Sequence, residues 1–304
     1  MGAVPITTGA HPKAQWPGVH EWFGTYEPFP EEFPALFDVK PSPKMGVVED
    51  VQTTGFGYAS IKHQGGGVNF VGNNQGWYKR YVHVVYGLGY IVTREENEDN
   101  KYKELSIKRA SSLKFSMRAT KETIHANVVN RATTAGYTGG DGQVLASASH
   151  PIDGGTYSNL LSPAADISEA AIEDLGIMVM TAVNNEGIPI PLMMLSLHIH
   201  PNDWYEANRI LKSVLQNDTA NNAVNVLKST NALPNGIHVN HYFTDTDAFG
   251  VKTNCPDGLN SFTRRAIEFT KDNEFTSENA MAKATERYVC GWTDPKGFYF
   301  SPGA

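Results

Sequence analysis

Apolar and polar positions change rhythm several times along the chain. Residues 93–133 carry a helical rhythm. No Gly or Pro occurs from Tyr90 to Ala135, and Tyr102, Leu105, Ala110, Leu113, Met117, Ile124 and Val128 recur on one stripe. Thr93 with Glu96 forms a capping box, and Glu95, Glu98 and Asp99 crowd the positive end of the dipole. About 38 residues at ~1.5 Å each would make a helix of roughly 60 Å. Before it, residues 51–92 alternate with period 2, as in WYKRYVHVVY, around the polar, Gly-rich QGGGVNFVGNNQG. That segment predicts a long two-stranded projection. Such ribbons are marginal alone in water, so it is expected to lie on a partner.

From about 141 onward, strand and helix patterns alternate. DISEAAIEDLGIMVMTAV predicts a helix starting at Asp166-x-x-Glu169, with Ile167, Ala170, Ala171 and Leu175 on one face. IPLMMLSLHIH predicts a strand. PNDWYEANRILKSVLQN predicts a helix facing inward through Trp204, Ala207, Leu211 and Val214. IHVNHYF and AFGVKT read as further strands, and SFTRRAIEFTKD and ATERYVCGW as two amphipathic strands around a polar connection. The class is α+β. Residues 1–50 fit neither rhythm. Their eight prolines forbid a continuous helix or central strand, while Trp16, Trp22, Phe23, Tyr26, Phe29, Phe33 and Phe37 argue against a solvated tail. An extended arm that buries its rings against a neighbouring chain satisfies both.

Composition narrows the function classes. With 304 residues, 40 % hydrophobic and 19 % charged, the chain has an ordinary globular make-up and length for roughly two domains. No apolar run approaches the ~20 residues of a membrane span, and MGAVPITTGAHPKAQWPG carries neither a signal-peptide pattern nor, with Ile6, a myristoylation pattern. Cys255 and Cys290 make no CxxC, which fits a reducing cytoplasm. The net charge of −7 and the lack of a basic run give no general grip on nucleic acid.

The chemical motifs are thin. His198 and His200 would share one face of a strand, with His238 as a cross-strand third ligand, so a metal-dependent enzyme stands as an alternative. No HExxH supports it, GFGYAS lacks a following helix, and GxxxxGK[ST] and GxSxG are missing. No catalytic, cofactor-binding or metal residue is assigned. The unusual features all concern contact: an aromatic–proline arm, a projecting ribbon and a spine-like helix.

In that order, followed by an α/β region and long closing strands, the parts resemble the HK97-like major capsid proteins of tailed bacteriophages. YGLGYIVTREENEDNKY, LSLHIHPNDWYEANRILKS, NAVNVLKST, DGLNSFTRRAIEFTKDNEF and KATERYVCGWTDPKGFYFSPGA are most similar to the Mu-like major head subunit branch. The resemblance implies an N-terminal arm at 1–50, an E-loop at 51–92 and a spine helix of the P-domain at 93–140. It also implies an A-domain at 141–255, P-domain strands at 256–292 and a C-terminal segment at 293–304 that returns to the A-domain. The histidines depart from the branch's small or aliphatic residues and imply no metal.

The function implied is a self-assembling icosahedral shell of pentamers and hexamers around double-stranded DNA, not an enzyme and with no cofactor. Assembly would take place in the bacterial host cytoplasm. Expected partners are further copies, a separate scaffolding protein, a portal, minor capsid or decoration proteins, and packaged DNA held without specific binding; no membrane is expected. An encapsulin-like compartment is the alternative within self-assembly. Candidate inter-subunit contacts are Trp16, Trp22, Phe23, Phe29, Phe37, Lys62, Phe70 and Trp77. Some members of the family join Lys to Asn covalently between subunits. For this chain, with Lys62 the candidate lysine, no cross-link is expected: denaturing gels of mature particles should show one single-chain band, and a ladder would contradict this.

Overall fold

The computed structural model describes residues 29–42, 46–53, 55–73, 75–95, 102–215, 223–274, 276 and 278–304. In chain order the described elements are α1 (Phe33–Leu36), β1 (Asp38–Pro41), β2 (Val47–Thr53), β3 (Gln75–Val82), β4 (Val84–Val92) and α2 (Tyr102–Asn130). Then come β5 (His150–Ile152), β6 (Gly155–Tyr157), α3 (Glu169–Met180), β7 (Met194–Ile199), α4 (Trp204–Lys212) and α5 (Val226–Ser229). The last are β8 (Ile237–Val239), β9 (Phe249–Thr253), β10 (Leu259–Asn273), β11 (Ala280–Trp292) and β12 (Phe298–Ser301). The chain divides into two compact units, one of Met1–Glu31, His83–Lys121 and Thr263–Tyr288, the other of Glu32–Val82, Glu122–Phe262 and Val289–Ala304.

In the first unit, β4 pairs antiparallel with β11, from Ala280↔Val92 to Tyr288↔Val84, and β10 lies on the other side of β11. Ala282 and Ala284 of β11 are small, so the stripe Ala110, Leu113 and Met117 of α2 settles against them and Val92. Two aromatic layers extend that core: Tyr86 stacks on Tyr288 at 4.7 Å, and Tyr90 joins the same cluster. Lys121 reaches Glu286 at 2.5 Å, both largely buried, so the charge that β11 points inward is paired.

The second unit is built on a mixed sheet ordered β12-β9-β7-β8, with β7 and β8 parallel and the other pairs antiparallel. Both faces are covered. Leu197, Ile199, Val251 and Tyr299 pack with Ile172, Leu175 and Val179 of α3 and Ala207 of α4. On the opposite face, Phe298 and Phe300 pack with Phe33, Phe37, Ala126 and Val129. Strands sealed on both sides read as continuous apolar runs rather than clean alternation. Gly250 is needed here, because a Cβ at this position would lie 2.1 Å from Cζ of Phe298.

Several polar groups that the core encloses are paired over long sequence distances. The Glu122 carboxylate accepts from the backbone N–H of Glu32 at 2.9 Å and of Phe33 at 3.0 Å, supplying α1 with the cap that its own sequence lacks. Asn159 is fully buried. Its Nδ2 donates to the carbonyls of Leu145, Pro295 and Phe298, while its Oδ1 accepts from Ser147 N–H and His150 Nε2. His150 Nδ1 then meets Asp141 Oδ2 at 2.6 Å. The closing segment is thereby tied to residues 141–159.

Several predicted elements change. The described spine helix is Tyr102–Asn130, shorter than 93–133; Arg94 and Glu95 form a helical turn, and Glu96, Glu98 and Asp99 of the proposed cap lie outside the described residues. The cap of α3 is Ser168 rather than Asp166: its backbone is extended and its Oγ accepts from Ala171 N–H. Trp204 is exposed, and Val214 is exposed and past the end of α4, so of the face predicted for this helix only Ala207 and Leu211 pack inward. β4 pairs with β11 rather than continuing the ribbon of β2 and β3.

Asn159→Ala should cost at least about 3 kcal/mol, since it strands several buried donors and acceptors. Urea unfolding monitored at the closing segment checks this. A change under about 1 kcal/mol, the worth of one ordinary hydrogen bond, would contradict the role given to the network.

Candidate assembly surfaces

The ribbon is rooted firmly and ends loosely. β2 and β3 pair from Val47↔Val82 to Thr53↔Gln75. At the root, Thr293 Oγ1 donates to Asp50 Oδ2 at 2.8 Å and lies 2.7 Å from the Tyr81 hydroxyl, whose ring packs on Phe262 at 5.0 Å. Burial pushes the Tyr81 hydroxyl well above the ordinary phenol range, so it stays a neutral donor. Further out, Gln52 and Asn185 exchange amide hydrogen bonds.

Beyond that the backbone has little to hold it. Residues 55–73 form no helix or strand, and the His63–Gly66 turn, with Gly65 at φ +77°, reverses the chain. Phe70 is 93 % exposed, Ile61 86 % and Tyr58 78 %, with Phe56, Val68 and Val71 also in solvent. Phe56, Tyr58, Val68, Phe70 and Val71 line an open cleft of about 360 Å³ together with Lys62. Fully burying one such side chain contributes ~1.5–3 kcal/mol, so the loop carries a large unspent driving force for association. Val214, Leu215, Val224 and Val226 are also exposed around the Leu215↔Val224 bridge, and Tyr205 of α4 is exposed as well.

The predicted contact residues fall into four groups. Phe29, Lys62 and Phe70 are on the surface, although Phe29 also touches Phe115 edge-on at 6.1 Å. Trp77 is half-buried, with Gly140 against its ring. Phe37 is a correction: it is 1 % exposed, meets His125 edge-on at 5.0 Å and belongs to the subunit's own core, because α1 turns the chain back onto α2. Trp16, Trp22 and Phe23 lie outside the described residues.

The histidines do not assemble a metal centre. His198 and His238 are direct neighbours on β7 and β8, with rings stacked at 5.3 Å and 19°, while His200 has left the strand and its Nδ1 accepts from Asn202 N–H. His198 is 2 % exposed, with Nε2 2.9 Å from Ser196 Oγ. Among the described residues no group of three or more His, Cys, Asp or Glu side chains could hold a metal ion. Burial, then His238, then Lys252 hold the His198 imidazole well below its usual range; burial also lowers His238.

A family profile described as Phage capsid protein matches residues 78–300. The chain belongs to the phage capsid protein family. Solved structures agree on the fold. The capsid of Myoviridae phage XM1 aligns with a TM-score of 0.55 at 11 % identity, over 92 % of this chain and 94 % of that one. A Mycobacterium phage Che8 structure gives 0.54 at 12 % identity, over 92 % and 95 %. The capsid of a native GTA particle gives 0.54 at 10 % identity, over 99 % and 95 %. The capsid protein has the HK97-like α+β fold. A search of curated proteins gives no match.

The stacked imidazoles give the capsid protein an acid-labile sheet. A neutral buried His stabilises fully above its unfolded pKa of about 6.5, and this stability is lost as pH falls toward the depressed folded value, by up to about 1.4 kcal/mol per pH unit for His198. His198→Phe should therefore flatten the decline in thermal midpoint between pH 6.5 and 4.5. An unchanged decline would contradict the assignment.

Proposed function

We propose that this capsid protein is the major shell subunit of a tailed phage or prophage of the Mu-like branch, closing into an icosahedral shell around double-stranded DNA. The observation that carries the reading is the family match over residues 78–300, and the exposed apolar loop 55–73 supports it. In this reading β2, loop 55–73 and β3 form the E-loop, with Phe70, Ile61 and Tyr58 placed on a neighbouring subunit. The sheet of β4, β11 and β10 with the first part of α2 forms the P-domain. The sheet β12-β9-β7-β8 with α3 and α4 forms the A-domain, and the apolar group at 205–226 faces the five-fold and six-fold axes. Phe29 joins the same contacts.

A scaffolding protein, portal and minor capsid or decoration proteins act as separate partners, and assembly takes place in the host cytoplasm. The net charge of −7 suits a lining that DNA must slide past and leave, since phosphate neutralisation would hold it.

Substituting Phe70→Asp should abolish or weaken assembly by tenfold or more in critical concentration, because a charge replaces an apolar anchor. The thermal midpoint of the unassembled subunit should not move, given the exposure of Phe70. Normal assembly of the variant would contradict the E-loop contact.

A further inference from the structure

β4 is an edge strand. β11 is bonded to one side of it, and no described strand is bonded to the other. Natural edge strands are blunted by charge, proline or shortness. The sequence VVYGLGYIV has nine residues and neither charge nor proline. Part of it is explained within the subunit. Tyr86, Tyr90 and Val92 serve the core under α2, and Gly87 and Gly89 let β11 approach, since Cβ atoms there would lie 3.1 Å from Thr285 Cγ2 and 2.8 Å from the Ala282 carbonyl. Val84, Val85, Leu88 and Ile91 are left in solvent, Ile91 at 62 % exposure.

Read from either end, the strand is nearly the same: V-V-Y-G-L-G-Y-I-V departs from a palindrome only in Val85 against Ile91. Two-fold contacts are isologous, with residue i meeting j and j meeting i. We propose that β4 is an interface between two copies of this chain, the two strands pairing antiparallel about a two-fold axis at Leu88. The register then sets Leu88 against Leu88, Gly87 against Gly89, Tyr86 against Tyr90, Val85 against Ile91 and Val84 against Val92. Small meets small and branched meets branched, and no like charges oppose. An antiparallel ladder is two-fold symmetric about both its hydrogen-bonded and its non-hydrogen-bonded pairs, so either centre satisfies the backbone. The four exposed side chains gain cross-strand partners, and β4 gains a strand on the side where no described strand is bonded.

The proposal relies on the shell reading only for the supply of second copies. It is tested with single cysteines in the full-length chain, under mild oxidation and on non-reducing gels. Facing residues of an antiparallel pair have Cα atoms about 4.5–5.5 Å apart, within the ~4.4–6.8 Å that a disulfide spans. The native thiols do not compete, since Cys255 is buried and burial pushes Cys290 up to about 12. Leu88→Cys should cross-link to itself as a dimer. Val85→Cys and Ile91→Cys should each remain single-chain alone and cross-link when mixed, a register control that does not depend on the folding of the Leu88 variant. Particles without either cross-link overturn the β4 pairing and leave the shell standing. Cross-linked dimers without particles support the pairing and count against the shell, and neither product overturns both.

Discussion

Everything distinctive about this protein follows from apolar surface that one copy cannot bury. Its two cores are complete: the sheet of the second unit is covered on both faces, and the alanines of β11 are filled in by α2. Much of what remains outside, among the described residues, lies in loop 55–73, along β4 and at Tyr205, Val214, Leu215, Val224 and Val226. A soluble monomer scatters such residues singly, whereas gathered patches mark places where another surface belongs. The hydrophobic effect is non-directional, so the fold must supply direction. It does so by rooting the ribbon rigidly through Tyr81, Thr293 and Asp50 while leaving its far end without a core.

Elsewhere in the chain, rigidity comes from a few buried polar groups that are well partnered. Glu122 ends the chain's entry turn, Asn159 binds the closing segment, and Lys121 pairs with Glu286. Each joins segments distant in sequence. Breaking one leaves buried groups without partners, which costs more than the bond itself contributes. A shell subunit gains from this arrangement, because many weak contacts repeated by symmetry add up only if each copy presents the same geometry.

The sequence made legible what depends on local pattern. The gap in Gly and Pro from Tyr90 to Ala135 announced the long helix, and alternation announced β10 and β11. Loop 55–73 was also legible, because its glycines and polar residues deny it a core while Phe70 and Ile61 remain apolar. The contacts of distant pairs were hidden. Glu122 reads as one more polar helix residue until Glu32 and Phe33 arrive beside it, and Asn159 carries no signal in its neighbours. Phe37 looked like an arm residue because nothing local shows the turn at Phe33–Leu36. His198 and His200 looked alike by spacing, and only the end of β7 after Ile199 separates a buried stacked ring from a capping one.

Sedimentation velocity combined with negative-stain electron microscopy, on the purified full-length chain with the scaffolding protein proposed above or on particles containing it, tests the central claim most directly. Closed icosahedral shells, or rings of five and six subunits, are the predicted result. A chain that stays a monomer or dimer under those conditions, with no rings or shells in the images, would contradict it.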